Sequence, residues 1–192
     1  MSKYIFSFVD NKAKKILNSR NILGGKGANL AEMSRLGLPV PPGFTISTQF
    51  CKIFYKKNKK LTPQLLNEIK KELKKIEKIA QKKFGDNTNP LLVSVRSGSR
   101  VSMPGMMDTI LNLGLNDKTV KALSEKTSNK RFAKDSYRRF IQMYANVVMG
   151  IESHLFEDMI DNYKLTKGVL SDTELNSDDW DGLIKNFKHE IC

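Results

Sequence analysis

Between residues 131 and 164 the sequence repeats apolar side chains at helical spacing for longer than any other pattern in the chain. Phe132, Tyr137, Phe140, Ile141, Tyr144, Val147, Val148, Ile151, Leu155, Met159 and Ile160 trace one face, predicted to be buried. Gly150 stands where such a helix would break or kink. Residues 117–126 carry a shorter helical pattern. Residues 166–192 are acidic around Asp178, Asp179 and Asp181, then helical near Leu183 and Phe187. A chain with this rear half needs a mostly helical lobe, and a boundary is expected near residues 112–117.

The front half alternates instead. Tyr4, Phe6 and Phe8 suggest an opening strand with one apolar side. Residues 27–36 read as a helix with a stripe of Ala28, Leu30, Ala31, Met33 and Leu36, capped by Gly37. Pro39, Pro41 and Pro42 exclude helix from the next stretch. A short strand over residues 45–47 follows, with Thr48 expected to cap a helix bearing Phe50, Ile53 and Phe54. Thr62 and Pro63 open a further helix that should run to Phe84 and Gly85, its lysines facing water. Residues 91–96 form a β-rich run expected to be an inner, buried strand. Strands and helices in front and helices behind make the fold class α+β, divided into residues 1–113 and 114–192.

Composition narrows the function classes. The chain has 192 residues, 40% of them hydrophobic, so it can bury a core. No run approaches the roughly 18 apolar residues of a membrane span, and the start lacks a secretory cleavage pattern. No membrane association is expected. Two cysteines, Cys51 and Cys192, make no disulfide framework and fit a reducing compartment, hence the cytoplasm. Cys51 is expected to be a small buried apolar residue. The net charge of +13 favours polyanions. Nucleic acid is not the expected one, because no aromatics are interleaved with the lysines to stack on bases.

Two motifs carry chemistry. The first is Gly24-Gly25-Lys26-Gly27 ahead of a helix. Glycines admit close backbone approach, a helix start favours anions, and Lys26 adds a charge. It is neither a Walker A loop, since Gly27 replaces the hydroxyl residue, nor a dinucleotide fingerprint. Read alone, it is weak evidence for a phosphate site and fits a tight turn with an exposed lysine better. The second motif runs from Ser94 to Thr109. It ends a strand in Arg96 and opens a loop rich in Ser, Gly and Met. Arginine grips phosphate oxygens in pairs, but a surface ion pair is also open to it. The methionines between 103 and 107 suit either a mobile lid or a buried corner.

The stretch SVRSGSRVSMPGMMDTILNLGLND (residues 94–117) closely resembles the signature of the pyruvate, phosphate dikinase family. GGKGANLAEMSRLGLPVPPGFTIST (24–48) and DSYRRFIQMYANVVMGI (135–151) resemble the same family in the same order. The related phosphoenolpyruvate synthases share a GGK loop and an SVRSS-type strand but lack PGMMDT in that form. Ser99 departs from the family, which more often has alanine there.

The resemblance implies a partial ATP-grasp nucleotide-binding domain, the front end of a larger magnesium-dependent phosphotransferase with paired acceptors. That enzyme turns ATP, phosphate and pyruvate into AMP, pyrophosphate and phosphoenolpyruvate through a phosphohistidine. By position, the histidine-bearing domain, the pyruvate barrel and the magnesium ligands are expected outside these 192 residues. No catalytic residue is expected within them. Neither His154 nor His189 inherits the histidine's role, and Asp178, Asp179 and Asp181 do not match the metal ligands. Carried over by motif position, Lys26 and Arg96 are expected to contact ATP phosphates, with Arg100 as a weaker contact. Gly105 and Met107 fall in the lid. The implied partners are ATP and the remaining domains of the same chain, with a homo-oligomeric parent. A short non-catalytic paralogue, acting as a nucleotide-binding or interaction domain, is the alternative.

Overall fold

In a computed structural model that describes residues 4–8, 19–98 and 108–191, the chain divides into two compact units. One comprises residues 1–81 and 97–107, the other residues 82–96 and 108–192. Each combines helices with a two-stranded antiparallel sheet, so the class is α+β.

In the first unit, β1 (Ile5–Ser7) pairs with β2 (Phe44–Ile46), Ile5 opposite Ile46 and Ser7 opposite Phe44. Its aromatic residues do not share one environment as the alternation suggested. Phe6 and Phe8 pack with Leu23 and Ala31 of α1 (Ser19–Arg35), whereas Tyr4 joins Ile5, Phe50 and Leu65. Phe50 lies in α2 (Thr48–Lys56) and Leu65 in α3 (Pro63–Ala80). The small sheet therefore needs apolar side chains on both sides.

Several local expectations are corrected. Only Ala28 and Ala31 of the α1 stripe are buried; Met33 and Leu36 are exposed, Leu36 by 62%. Thr48 caps nothing: Ser47 is the N-cap residue of α2, and the Thr48 hydroxyl donates to the Asn21 carbonyl at 2.7 Å. Cys51 is exposed, because Phe50 takes the core position and the next helical residue lies about 100° round the axis. Thr62 does cap α3, accepting from the Leu65 amide at 3.3 Å, with Pro63 in the first turn. That helix stops at Ala80, short of Phe84, because the backbone of Lys83 is committed to Asn89 and Leu91. Its lysines 70, 71, 74 and 78 are exposed, as the sequence suggested.

In the second unit, β3 (Val93–Arg96) pairs with β4 (Thr109–Leu113), with a bulge between Val93 and Val95. The expected inner strand is instead largely exposed, Val95 by 47%. Burial belongs to the residues before it, Leu91 and Leu92. A run of alternating valines satisfies a buried strand and a surface hairpin equally well. Four helices follow: α4 (Thr119–Thr127), α5 (Lys130–Tyr144), α6 (Ser153–Lys167) and α7 (Ser177–Ile191). α5 runs on through a π-helical turn, Ala145–Met149, and Gly150 breaks it at φ 74°. Ala133, Tyr137, Ile141 and Ala145 form the buried row of α5. That row turns Phe132, Tyr144 and Val148 to the surface, and Leu155 of α6 is exposed as well.

Phe156, Ile160, Leu175, Trp180, Leu183 and Phe187 fill a single core around α5 and α7. The Phe156 and Phe187 rings meet edge-on at 4.9 Å. The buried Arg138 guanidinium lies 4.4 Å from the Trp180 ring centroid and bonds to Asp135 at 2.6 Å. Asp179 closes the start of α7, accepting from the Asn176 amide, Tyr163 and Lys167. Burial raises its pKa, but those three bonds outweigh burial and hold it below the ordinary carboxylate value. Asp181 pairs with Lys134.

Candidate functional site

The first motif folds around a break in α1. Gly24 has φ 72° and ψ 172°, a region open essentially to glycine alone. Helical geometry resumes at Gly25, so Lys26 lies in the first turn after the break rather than in a loop ahead of the helix. A helix's first turn is where unpaired amides and the positive end of its dipole lie. Gly27 serves a different need. A Cβ there would come 2.9 Å from Thr45 Oγ1 and 3.1 Å from Leu23 Cβ. Glycine thus lets α1 lie directly on β2. Lys26 is half-buried, and among the described residues no carboxylate pairs with its ammonium.

The start of the second motif's loop meets the first. A Cβ on Gly98 would lie 3.7 Å from the Leu23 carbonyl oxygen, one residue before the glycine break. Thr48 holds the start of α2 to the first turn of α1 through Asn21. Asn21, Leu23, Thr45, Thr48 and Gly98 therefore frame the turn that carries Lys26. The sequence named none of these five as a site residue, although Gly98 lies within the second motif. A threonine signals only β preference until its neighbour is known.

Arg96 is the last residue of β3, exposed, and opposite Thr109 of β4. Among the described residues its guanidinium has no carboxylate partner, so the surface ion pair allowed by the sequence does not form there. Arg96 belongs to the second unit, and Lys26 with Ser97 and Gly98 to the first. Arg100, Gly105 and Met107 lie outside the described residues. His154 and His189 are exposed, His154 Nδ1 lying 3.1 Å from Glu152. Among the described residues no group of three or more His, Cys, Asp or Glu is placed to hold a metal ion. No helix among them is long and apolar enough to cross a membrane.

A lysine at a helix restart and an arginine at a strand end, neither paired with a carboxylate among the described residues and each beside glycine, suit a phosphate-binding domain. The chain belongs to the pyruvate phosphate dikinase family: the model of its AMP/ATP-binding domain matches residues 20–77 and 59–152. The chain is 52% identical over 188 residues to pyruvate, phosphate dikinase of Clostridium symbiosum, covering 98% of this chain and 21% of that protein. It is 48% identical over 191 residues to the protein of that name from Rhizobium meliloti, covering 100% of this chain and 21% of the relative. The chloroplastic pyruvate, phosphate dikinase of Flaveria pringlei is 49% identical over 187 residues, covering 97% and 20%. The chain thus spans about a fifth of the length of the curated relatives it matches.

Proposed function

We propose that this chain is the ATP-binding front part of a pyruvate, phosphate dikinase, folded as part of an ATP-grasp domain. The carrying observation is that the matched residues contain both motifs, with Lys26 and Arg96 unpaired among the described residues. The reaction proposed for the whole enzyme consumes ATP, phosphate and pyruvate and yields AMP, pyrophosphate and phosphoenolpyruvate, by way of a phosphohistidine on another domain. Lys26 and Arg96 each supply positive charge to the polyphosphate. Positioning and charge stabilisation are the main protein tasks in phosphoryl transfer. Arg100 is a secondary phosphate contact, and Gly105 and Met107 belong to a lid.

Magnesium, when bound, would supply positive charge against the polyphosphate. Its ligands are proposed to lie in parts of the enzyme outside these 192 residues. The division at residue 113 is functional in this reading: every proposed nucleotide contact lies in residues 1–113 and none in 114–192. The other proposed partners are the enzyme's remaining domains and a second copy of the enzyme, in the cytoplasm.

An NMR titration of the chain with Mg-ATP tests the binding part. Shifts should concentrate at residues 23–27 and 94–98. Lys26→Ala and Arg96→Ala should each weaken binding by about 1.5–3 kcal/mol, the range for a charged hydrogen bond. In an enzyme of the relatives' full length, Arg96→Ala should slow AMP formation from ATP and phosphate. Shifts confined to the helices of the second unit, or wild-type AMP formation, would remove these residues from the site.

A further inference from the structure

The turn that leads into β3 is tied down more firmly than a connector requires. Asp86 Oδ1 accepts three hydrogen bonds: from the Thr88 amide at 2.7 Å, the Thr88 hydroxyl at 2.7 Å and the Asn89 amide at 2.9 Å. Around them, the Lys83 amide donates to the Asn89 carbonyl at 3.1 Å, and the Leu91 amide donates to the Lys83 carbonyl at 2.8 Å. The Asn89 side-chain oxygen accepts from the Lys126 ammonium of α4. From the other strand, Gly114 closes on the same root. A Cβ on it would come 2.8 Å from the Leu91 carbonyl oxygen and 3.2 Å from the Phe84 ring. Leu91 is buried, and Leu92 packs on the main core.

This root controls what lies beyond it. Arg96 is five residues past Leu91, about 17 Å at the rise of a strand. β4 packs against α5 and buries Ile110, but Ser94, Val95 and Arg96 of β3 are exposed. The ladder is also interrupted by the bulge between Val93 and Val95. A tilt of about 10° at the root would carry Arg96 about 3 Å. Misplacement by about 1 Å can cost on the order of 100-fold in a reaction that depends on positioning.

We propose that Asp86 is a positioning residue: its turn aims the β3–β4 hairpin and so sets where Arg96 meets the nucleotide phosphates. This rests on the reading of Arg96 given above; Asp86 itself touches no substrate. A carboxylate suits the task because one charged oxygen gathers three donors. Asparagine in its place keeps an acceptor oxygen, and alanine keeps none.

The test uses the whole 192-residue chain, labelled with nitrogen-15, as wild type, Asp86→Asn, Asp86→Ala and Arg96→Ala. Amide exchange is read residue by residue, together with the Arg96 Nε–Hε resonance. Asp86→Ala should raise exchange at residues 93–96 and 109–113 by about tenfold or more and move the Arg96 resonance, leaving α5 and α7 unchanged. Asp86→Asn should restore most of both. Unchanged hairpin exchange overturns the proposal. A uniform rise across the second unit does the same, since it would make Asp86 a general stabiliser. Mg-ATP is then added. If it leaves wild type unshifted, the reading of Arg96 fails in this chain, while the exchange result still judges Asp86. If wild type binds, Asp86→Ala should weaken binding as Arg96→Ala does, and the double variant should lose little more. Wild-type affinity in Asp86→Ala would overturn the proposal.

Discussion

The two units solve the problem of staying folded differently. The first carries 18 basic residues against 5 acidic, the second 15 of each, so the whole net charge of +13 belongs to the first. The second builds one contiguous core and pairs many of its charges, including Lys134 with Asp181, Lys167 with Asp179 and Lys188 with Asp117. The first holds smaller apolar clusters, one around Ile5, Phe50 and Leu65 and one around Leu23 and Ala31. Its lysines 52, 56, 57, 59, 60, 70, 71, 74 and 78 meet no carboxylate among the described residues. The lesson is a division of cost. A surface with so large an excess of positive charge repels itself, and a small core has little to spare against that repulsion.

Matched truncations give the largest test of this contrast. Phe156→Ala in the second unit should cost about 3–5 kcal/mol in urea unfolding, the range for a fully buried aromatic. Phe50→Ala should fall at or below the low end of that range, because its cluster has fewer buried neighbours. Equal costs would break the comparison.

Next in size is the glycine turn. Gly27→Val should cost the first unit about 1–3 kcal/mol by overpacking against Thr45 and Leu23. Adding Thr45→Ala should return part of that loss. Gly24→Ala should cost about 1–3 kcal/mol through backbone strain, with no such rescue. Unfolding of Gly27→Val and Gly24→Ala, each alone and combined with Thr45→Ala, reads the difference directly.

Acid should then act mainly on the second unit. Asp86 is lowered from the ordinary 3.8 to about 2, first by the Asn89 amide and then by Thr88. The bond from Lys188 lowers Asp117, and Asp179 is lowered as described. A carboxylate lowered in the folded state contributes stability that is complete above its unfolded pKa. That stability is lost as pH falls through the folded value. Exchange protection in the second unit should therefore hold to about pH 4 and drain toward about pH 2. Protection lost instead between pH 7 and 5 would contradict this assignment.

The smallest effect concerns salt. Raising sodium chloride from about 0.05 to 0.5 M shortens the screening length severalfold and should stabilise the first unit by a few tenths of a kcal/mol. The second unit should respond less or lose a similar small amount. Denaturant midpoints for each unit, read by residue-resolved exchange, check the sign.

Much of this was legible in the sequence, and the failures share a cause. Thr62 with Pro63 marked a helix start because capping and proline geometry are local. Gly150 marked a break for the same reason. Val95, Met33, Leu36, Phe132 and Cys51 were misjudged because burial depends on which neighbour arrives, and periodicity cannot name it. The first motif was legible as a glycine turn, but not the separate duties of Gly24 and Gly27. One is set by a dihedral angle and the other by Thr45, eighteen residues away. Asp86 carried a readable signal, an aspartate two residues before a threonine in a turn ending in Pro90. Its grip on β3 could be seen only once Leu91, Gly114 and Lys126 were in place.

The seating of Gly27 on Thr45 also has an evolutionary reading. Position 24 answers to a torsion angle and should tolerate no replacement in any lineage that keeps the turn. Position 27 answers to the bulk of a partner, so the two sites should drift together. A descendant with alanine at 27 would be expected to carry a smaller residue at 45, and that paired change would betray the contact to anyone comparing sequences alone.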